Sequence, residues 1–289
     1  MRFLFYFFAL LPLVVLQLLG ALIGNLLWLI PNDRRTTAIT NVRRCFPDWT
    51  PAEQRRVARL SLGAEMKTYC ETPMIWLGAG WRLRRLVREY RGLDAFEKAI
   101  KPGKGMLLLT LHQGSFEAGA IPMSGTYALA GIYKPQKGAV NDLSIKGRSR
   151  NNGILVPAVG GSVSEHLQKL LDRGLGVYIM PDQDPPEGRG VFVPFFGNLA
   201  HTPKLVHRLL QTRQVPVILM WVQRLSWGRG FRVHLREASP GIHDADPMTS
   251  ATAMNADFEV FVRDCPEQYW WGYKRFRRQP PGAPRFYPK

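Results

Sequence analysis

The sequence predicts an α/β fold, with a single mostly parallel central sheet flanked by helices and a transmembrane helix at the N terminus. Three observations predict it. From residue 105 onward short apolar runs alternate with helical stretches, the pattern of parallel strands joined by crossover helices. From Phe3 to Ile30 no residue carries a charge, and Gln17 and Asn25 are the only amides. No internal repeat, low-complexity linker or second composition break interrupts the rest, so the 289 residues divide into an anchor, 1–30, and one domain, 31–289.

Taken as one helix, the uncharged run is roughly 42 Å long, against a hydrocarbon core of about 30 Å. Pro12 kinks it, and tilt or burial against the body absorbs the excess. A cleaved signal peptide needs a shorter apolar region and a small-x-small site, and neither is present, so the segment is retained. Arg2 precedes it and Arg34, Arg35, Arg43 and Arg44 follow, which puts the body on the cytoplasmic side.

Residues 31–50 read as a loop or short helix. Thr50 as N-cap, Pro51 in the first turn and Glu53 three residues on start a helix that runs to about Tyr69, with Pro73 interrupting it. In Trp81–Arg91, Leu83, Leu86, Val87 and Tyr90 share one helical face among five arginines. A solvated helix packed on the core and an interfacial helix meeting lipid phosphates explain it equally well. Strands follow at 106–111, 127–133, 154–159, 176–180, 215–222 and 231–236, the last alternating apolar and polar as an edge strand does. Helices fall near 115–124, 141–150, 162–173 and 202–213, the third capped by Ser162 with Glu165 and the fourth started by Thr202-Pro203. A helix near 249–264 precedes an aromatic, basic tail.

Lys and Arg number 39 against 22 Asp and Glu, a net charge of +17, which calls for an anionic partner. Three dispersed cysteines, Cys45, Cys70 and Cys265, suit a reducing compartment without a structural disulfide or zinc site. The absence of GxSxG, P-loop, HExxH and paired CxxC patterns removes the cheapest support for a serine hydrolase, an NTPase or a zinc enzyme. No metal or cofactor is expected.

The apolar run Met106–Leu111 empties into a polar turn carrying His112 and, five positions later, Glu117. A histidine titrates near neutrality and takes a proton from a hydroxyl, while a carboxylate on its far nitrogen fixes the tautomer. In isolation such a match is met as well by an ordinary hydrogen-bonded histidine. Arg148 and Arg150 precede Gly153. They read first as a helix C terminus whose basic residues suit the macrodipole, and second as guanidiniums aimed at an oxyanion or phosphate. Asp182 and Gln183 follow a strand end, where ligands of α/β sheets gather, and are expected to touch substrate or brace the site. Val191–Phe196, with Phe192 and Phe195, is too apolar for an exposed loop and suits the wall of an acyl-chain groove or plain core packing. The tail from Pro266 to Arg278 interleaves Tyr and Trp with Lys and Arg, as at a membrane–water interface. The same mixture stacks nucleic-acid bases, but the hydrophobic anchor argues against a nucleic-acid partner. His166, His201, His207, His234 and His243 show no metal-ligand spacing.

His112-Gln-Gly-Ser-Phe-Glu117 resembles the His-x-Gly-Asn-Trp-Glu block of the bacterial lipid A late acyltransferases. Asn41 to Pro47, Pro181 to Gly197 with Thr202-Pro203, and Pro266 to Arg278 resemble further blocks in the same order, over nearly the whole chain. The resemblance implies a glycerolipid-acyltransferase-like fold, with His112 as general base, Glu117 as its orienting acid and Arg148 or Arg150 in the site. It also implies transfer of a fatty acyl group from acyl carrier protein to a hydroxyl of a lipid A precursor, by a single-pass inner-membrane protein in contact with inner-membrane phospholipids. Ser115 and Phe116 depart from the usual Asn and Trp, which leaves the acceptor open. A lysophospholipid or ornithine-lipid acyltransferase using acyl carrier protein or acyl-CoA is the runner-up. A membrane-tethered protein that only holds anionic lipid is the reading from another class.

Overall fold

A computed structural model describes residues 2–158 and 163–288. Ser162, the expected cap of the third crossover helix, lies outside the described residues. In chain order the helices are α1 (Arg2–Leu10), α2 (Leu13–Leu29), α3 (Asp33–Cys45), α4 (Pro51–Leu77), α5 (Gly80–Leu86), α6 (Leu93–Ile100), α7 (Glu117–Met123), α8 (Ala139–Arg148), α9 (Val163–Asp172), α10 (Leu205–Thr212) and α11 (Pro247–Asp264). The strands are β1 (Val87–Arg91), β2 (Met106–Gly114), β3 (Leu129–Tyr133), β4 (Ile154–Pro157), β5 (Gly176–Ile179), β6 (Gly190–Phe195), β7 (Asn198–Pro203), β8 (Val217–Leu225) and β9 (Gly230–Glu237). Seven strands form one sheet in the order β1-β9-β8-β2-β5-β3-β4, and only the β8–β9 pairing is antiparallel. The α/β class and the mostly parallel sheet are as the alternation implies.

Strand β2 lies at the middle of the sheet and is buried on both faces. Its side chains alternate: Leu107, Leu109 and Leu111 enter a core shared with α9, α10 and α11, while Met106 and Leu108 enter a second core with α2, α4 and α6. Each such leucine stabilises the fold by roughly 1.5–3 kcal/mol relative to exposure. The result is a rigid central strand whose carboxyl end opens at residue 112.

Four expectations are corrected. The apolar N terminus is not one helix. It breaks at Leu11–Pro12, because proline lacks an N–H and holds the preceding residue out of the helical region. Among the described residues no single helix is long and apolar enough to cross a membrane, and α2 with α3 passes that test only as a pair bent by 88°. Instead α2 lies along α4, burying Leu13, Leu16, Gln17, Gly20 and Gly24. A Cβ on Gly24 would stand 2.4 Å from the Gly63 Cα, so glycine is what lets the two backbones meet.

Second, residues 81–91 do not form one helix. α5 ends at Leu86 and the chain continues as β1, parallel to β9. That strand covers β9, so 231–236 is not at the edge. Third, Val191–Phe196 lies in an antiparallel β6–β7 hairpin, and the helix expected from residue 202 begins only at Leu205. Fourth, the Thr50–Glu53 capping box starts α4 as expected, but the helix runs on through Pro73 to Leu77. Burial of Met74, Ile75 and Trp76 outweighs the local cost of the proline.

Candidate active site

The site is built around a bulge at the end of β2. Pairing with β8 is regular to Thr110–Met220 and resumes at Gly114–Val222, so β2 spends two extra residues there. Gly114 has φ +61°, and a Cβ on it would lie 1.8 Å from the Val222 carbonyl oxygen, so only glycine fits. The turn that follows is clamped by buried polar groups. Ser115 Oγ donates to Glu71 at 3.0 Å, and Arg224 grips both Glu71 oxygens at 2.7 and 2.9 Å. Arg224 and Thr68 also donate to the Gly114 carbonyl. Gln113 is anchored on the Phe261 and Cys265 carbonyls. This clamp leaves His112 as the one side chain of the bulge that lines a cavity.

The carboxylate on the histidine ring belongs to Asp182. His112 Nδ1 lies 2.8 Å from Asp182 Oδ1, and the His112 backbone N–H donates to Oδ2 at 2.8 Å. A carboxylate can only accept, so Nδ1 carries a proton, and in the neutral ring Nε2 holds the lone pair. No hydrogen bond is made by Nε2 among the described residues. The ring is flanked by Phe116 at 5.2 Å and Trp270 at 5.1 Å, and the Trp270 backbone N–H donates to the His112 carbonyl at 3.0 Å.

Glu117, expected on the far ring nitrogen, is engaged elsewhere. Its oxygens accept from Arg148 Nε at 3.1 and 3.2 Å, from a terminal Arg148 nitrogen, and from Trp76 Nε1 at 3.1 Å. The physical reason is position. Glu117 opens α7 rather than closing the bulge, and α8 delivers Arg148 to it across the cavity. Burial alone would pull the Arg148 guanidinium down, but the Glu117 charge more than compensates and holds it above its ordinary pKa. Burial, aided by Glu117, pushes the Tyr178 phenol well up, so it stays protonated.

His112, Glu117, Arg148, Phe116, Tyr178 and Trp270 line one cavity of about 850 Å³. The remaining wall is mostly apolar, with Leu129, Ile132, Ile154, Leu155, Met180 and Leu205, and α1 contributes Phe5. That volume is in the range of small-molecule sites and its lining suits an alkyl chain.

Other expected residues fall outside. Arg150 donates to the Ile75, Trp76 and Gly78 carbonyls and so closes the end of α4, which separates its role from that of Arg148. Gln183 does not line the cavity. Phe192 packs on His201 and Phe195 is buried against Phe196 and Tyr269, so the β6 strand is core rather than a groove wall. The aromatic tail is likewise folded in: Trp271 and Arg275 are 1% and 2% exposed. Trp76, Tyr178 and Phe5 carried no readable signal, because each comes from a helix or strand whose place beside the cavity is set by tertiary packing.

A base-ready imidazole on an apolar cavity, with a charged arginine in the same wall, is equipped for proton transfer beside a developing anion. The family model for bacterial lipid A biosynthesis acyltransferases matches residues 2–278. The chain belongs to that family. Among its relatives, the lipid A biosynthesis lauroyltransferase of Escherichia coli (strain K12) is 28% identical over 283 residues, covering 96% of this chain and 90% of that protein. The palmitoleoyltransferase of the same organism is 26% identical over 280 residues, covering 96% and 90%. Its myristoyltransferase is 23% identical over 269 residues, covering 93% and 81%. As a member of this family the protein is an acyltransferase. Within it, the family's His-x-Gly block is the β2 bulge, and the Ser115 departure falls on a residue clamped to Glu71 rather than on the cavity.

Proposed function

We propose that the protein moves a fatty acyl group from acyl carrier protein to a hydroxyl of a lipid A precursor at the cytoplasmic face of the inner membrane, with His112 as general base and Asp182 as the carboxylate that orients it. The observation that carries this reading is His112 Nδ1 held on Asp182 while the ring opens on the cavity. Nε2 takes the proton of the acceptor hydroxyl and the alkoxide oxygen attacks the thioester carbonyl carbon. The tetrahedral oxyanion collapses, the C–S bond breaks, and the thiolate takes the proton back from the imidazolium. No acyl-enzyme forms. Arg148, held in place by Glu117, stabilises the oxyanion, and the apolar wall holds the acyl chain.

The net charge of +17 supports an acidic carrier protein and a phosphorylated acceptor. The test is transfer of labelled acyl groups from acyl carrier protein or acyl-CoA to a panel of lipids by the purified protein. His112→Ala is expected to lose transfer by roughly 10²–10⁴-fold while folding normally. Wild-type turnover in that variant would remove the base. Phe116, a departure from the family's Trp that lies beside His112, supports a second acceptor reading, a lysophospholipid or ornithine lipid. Labelling of those lipids in place of the lipid A precursor would select it.

A further inference from the structure

The N-terminal helices are held in a manner that decides how this protein meets a membrane. We infer that it is monotopic: α2 lies in the plane of an anionic phospholipid surface, and Trp81 and Trp227 anchor the α1–α2 elbow at the lipid–water boundary. This names the surface that would deliver the acceptor in the proposed reaction, but its placement does not depend on the reaction being right.

Three observations converge. The first is docking. α2 has 17 residues, about 25 Å of helix against a hydrocarbon core of about 30 Å. It runs antiparallel to α4 along its whole length: Gln17 donates to Glu71, Gly24 meets Gly63, and Asn25 accepts from Arg59. Upright insertion would drag Arg59, Glu71 and, through Glu71, Arg224 of the central sheet into hydrocarbon.

The second is where the ends go. Arg2, at the start of α1, pairs with Asp142 of α8 at 2.7 Å, and Asp33, at the start of α3, pairs with Lys274 of the tail at 2.7 Å. The chain therefore enters and leaves the apolar segment on the same side as the body.

The third is the outer face. Val14, Leu18, Leu22, Leu26 and Leu29 of α2 form one exposed stripe. At its elbow end Arg82 collects the carbonyls of Ala9, Leu10 and Leu11 and presents Trp81, which is 58% exposed. The β8–β9 turn reaches the same place: the Gly228 N–H donates to Gln17 Oε1 at 3.0 Å, and the neighbouring Trp227 is 81% exposed. Trp227 holds φ +58°, an unfavourable backbone for a bulky side chain with no packing to repay it in the isolated molecule. Arg88 and Arg229 stand at this turn, with Arg88 Nε donating to the Arg229 backbone carbonyl at 2.8 Å. Exposed tryptophan among arginines fits the boundary of an anionic leaflet, where the ring lies at headgroup level and the guanidiniums meet phosphate. Continuity with the cavity agrees: Phe5 of α1 lines it, whereas Phe3 and Phe7 of the same helix face outward.

Two measurements on the full-length chain test the placement. In sealed vesicles with the body outward, an epitope ahead of Met1 is expected to be removed by added protease together with an epitope after Lys289. Protection of the first epitope until detergent is added would overturn the monotopic arrangement. On vesicles of phosphatidylglycerol and phosphatidylethanolamine, Trp227→Ser is expected to weaken binding by about tenfold. Its melting temperature and its turnover of a short-chain, water-soluble acyl thioester should stay unchanged. Wild-type vesicle binding by Trp227→Ser would remove the anchor. Loss of acyl transfer with the expected topology and binding would bear on the proposed reaction alone.

Discussion

Two aspartates two residues apart in the segment after β5 each hold a histidine, and their bonds to the imidazole rings are indistinguishable in length. His112 meets Asp182, and His201 meets Asp184, each through Nδ1 at 2.8 Å. Their surroundings differ. The His112 side chain is 17% exposed and lines the cavity, whereas His201 is 5% exposed and lies under Phe192, with Gly190 so close that a Cβ there would come within 2.6 Å of Nε2. Asp182 spends its second oxygen on the backbone of the histidine it orients, while Asp184 spends its own on Arg277 and Arg278. The first carboxylate is free to answer a charge that appears on its histidine. The second is already neutralised and serves to tie the β6–β7 hairpin to the C-terminal tail. An identical hydrogen bond can serve a base, as proposed for His112, only where the other nitrogen can be reached.

The sharpest way to break this contrast is a paired substitution. His112→Ala should lower transfer by roughly 10²–10⁴-fold with little change in melting temperature, as read by acyl-transfer assay and calorimetry. His201→Ala should lower the melting temperature, with activity per folded molecule retained. Parallel behaviour of the two variants would erase the distinction. Next in size is Asp184→Asn, which leaves Arg277 and Arg278 without their anion and is expected to cost about 2–3 kcal/mol of stability in denaturant unfolding, without a specific loss of kcat. Gly190→Ala should follow at about 1–3 kcal/mol, because the new methyl must displace a packed imidazole. The smallest effect concerns a third histidine. Burial, then Arg91 and Arg232, lowers the His234 pKa from 6.5 to about 4. Between those values the unfolded chain binds the extra proton, so stability should fall as pH drops from 6.5 toward 4 and level off below. His234→Gln should flatten that slope in pH-dependent melting.

The fold was legible where a local rule and the tertiary outcome agree. The Met106–Leu111 run is a central strand because both faces are buried, and the Thr50–Glu53 box starts α4 because capping is a local event. It was not legible where the two compete. Val87–Arg91 has helical spacing, yet β9 offers a parallel ladder for its backbone and the segment becomes a strand. The uncharged length of Phe3–Ile30 suggested a span, but Pro12 divides it and the Gly20–Gly24 seam fixes α2 to α4. In the site, His112 and Glu117 were within reach of sequence because they share one motif, and Arg148 because it stands with Arg150 in a separate basic segment before Gly153. Asp182 was singled out only for its place after a strand; that it, and not Glu117, meets the imidazole depends on β5 lying next to β2, a neighbour relation that no single sequence prints.

The division of labour between those two carboxylates is the central claim, and single-turnover acyl transfer measures it most directly. Asp182→Asn, which can no longer hold the imidazole in its working tautomer, is expected to slow the chemical step by about 10²-fold or more at unchanged stability. Glu117→Gln, which loosens Arg148 while leaving the base oriented, should cost about tenfold. Near wild-type turnover in Asp182→Asn alongside the larger loss in Glu117→Gln would contradict it.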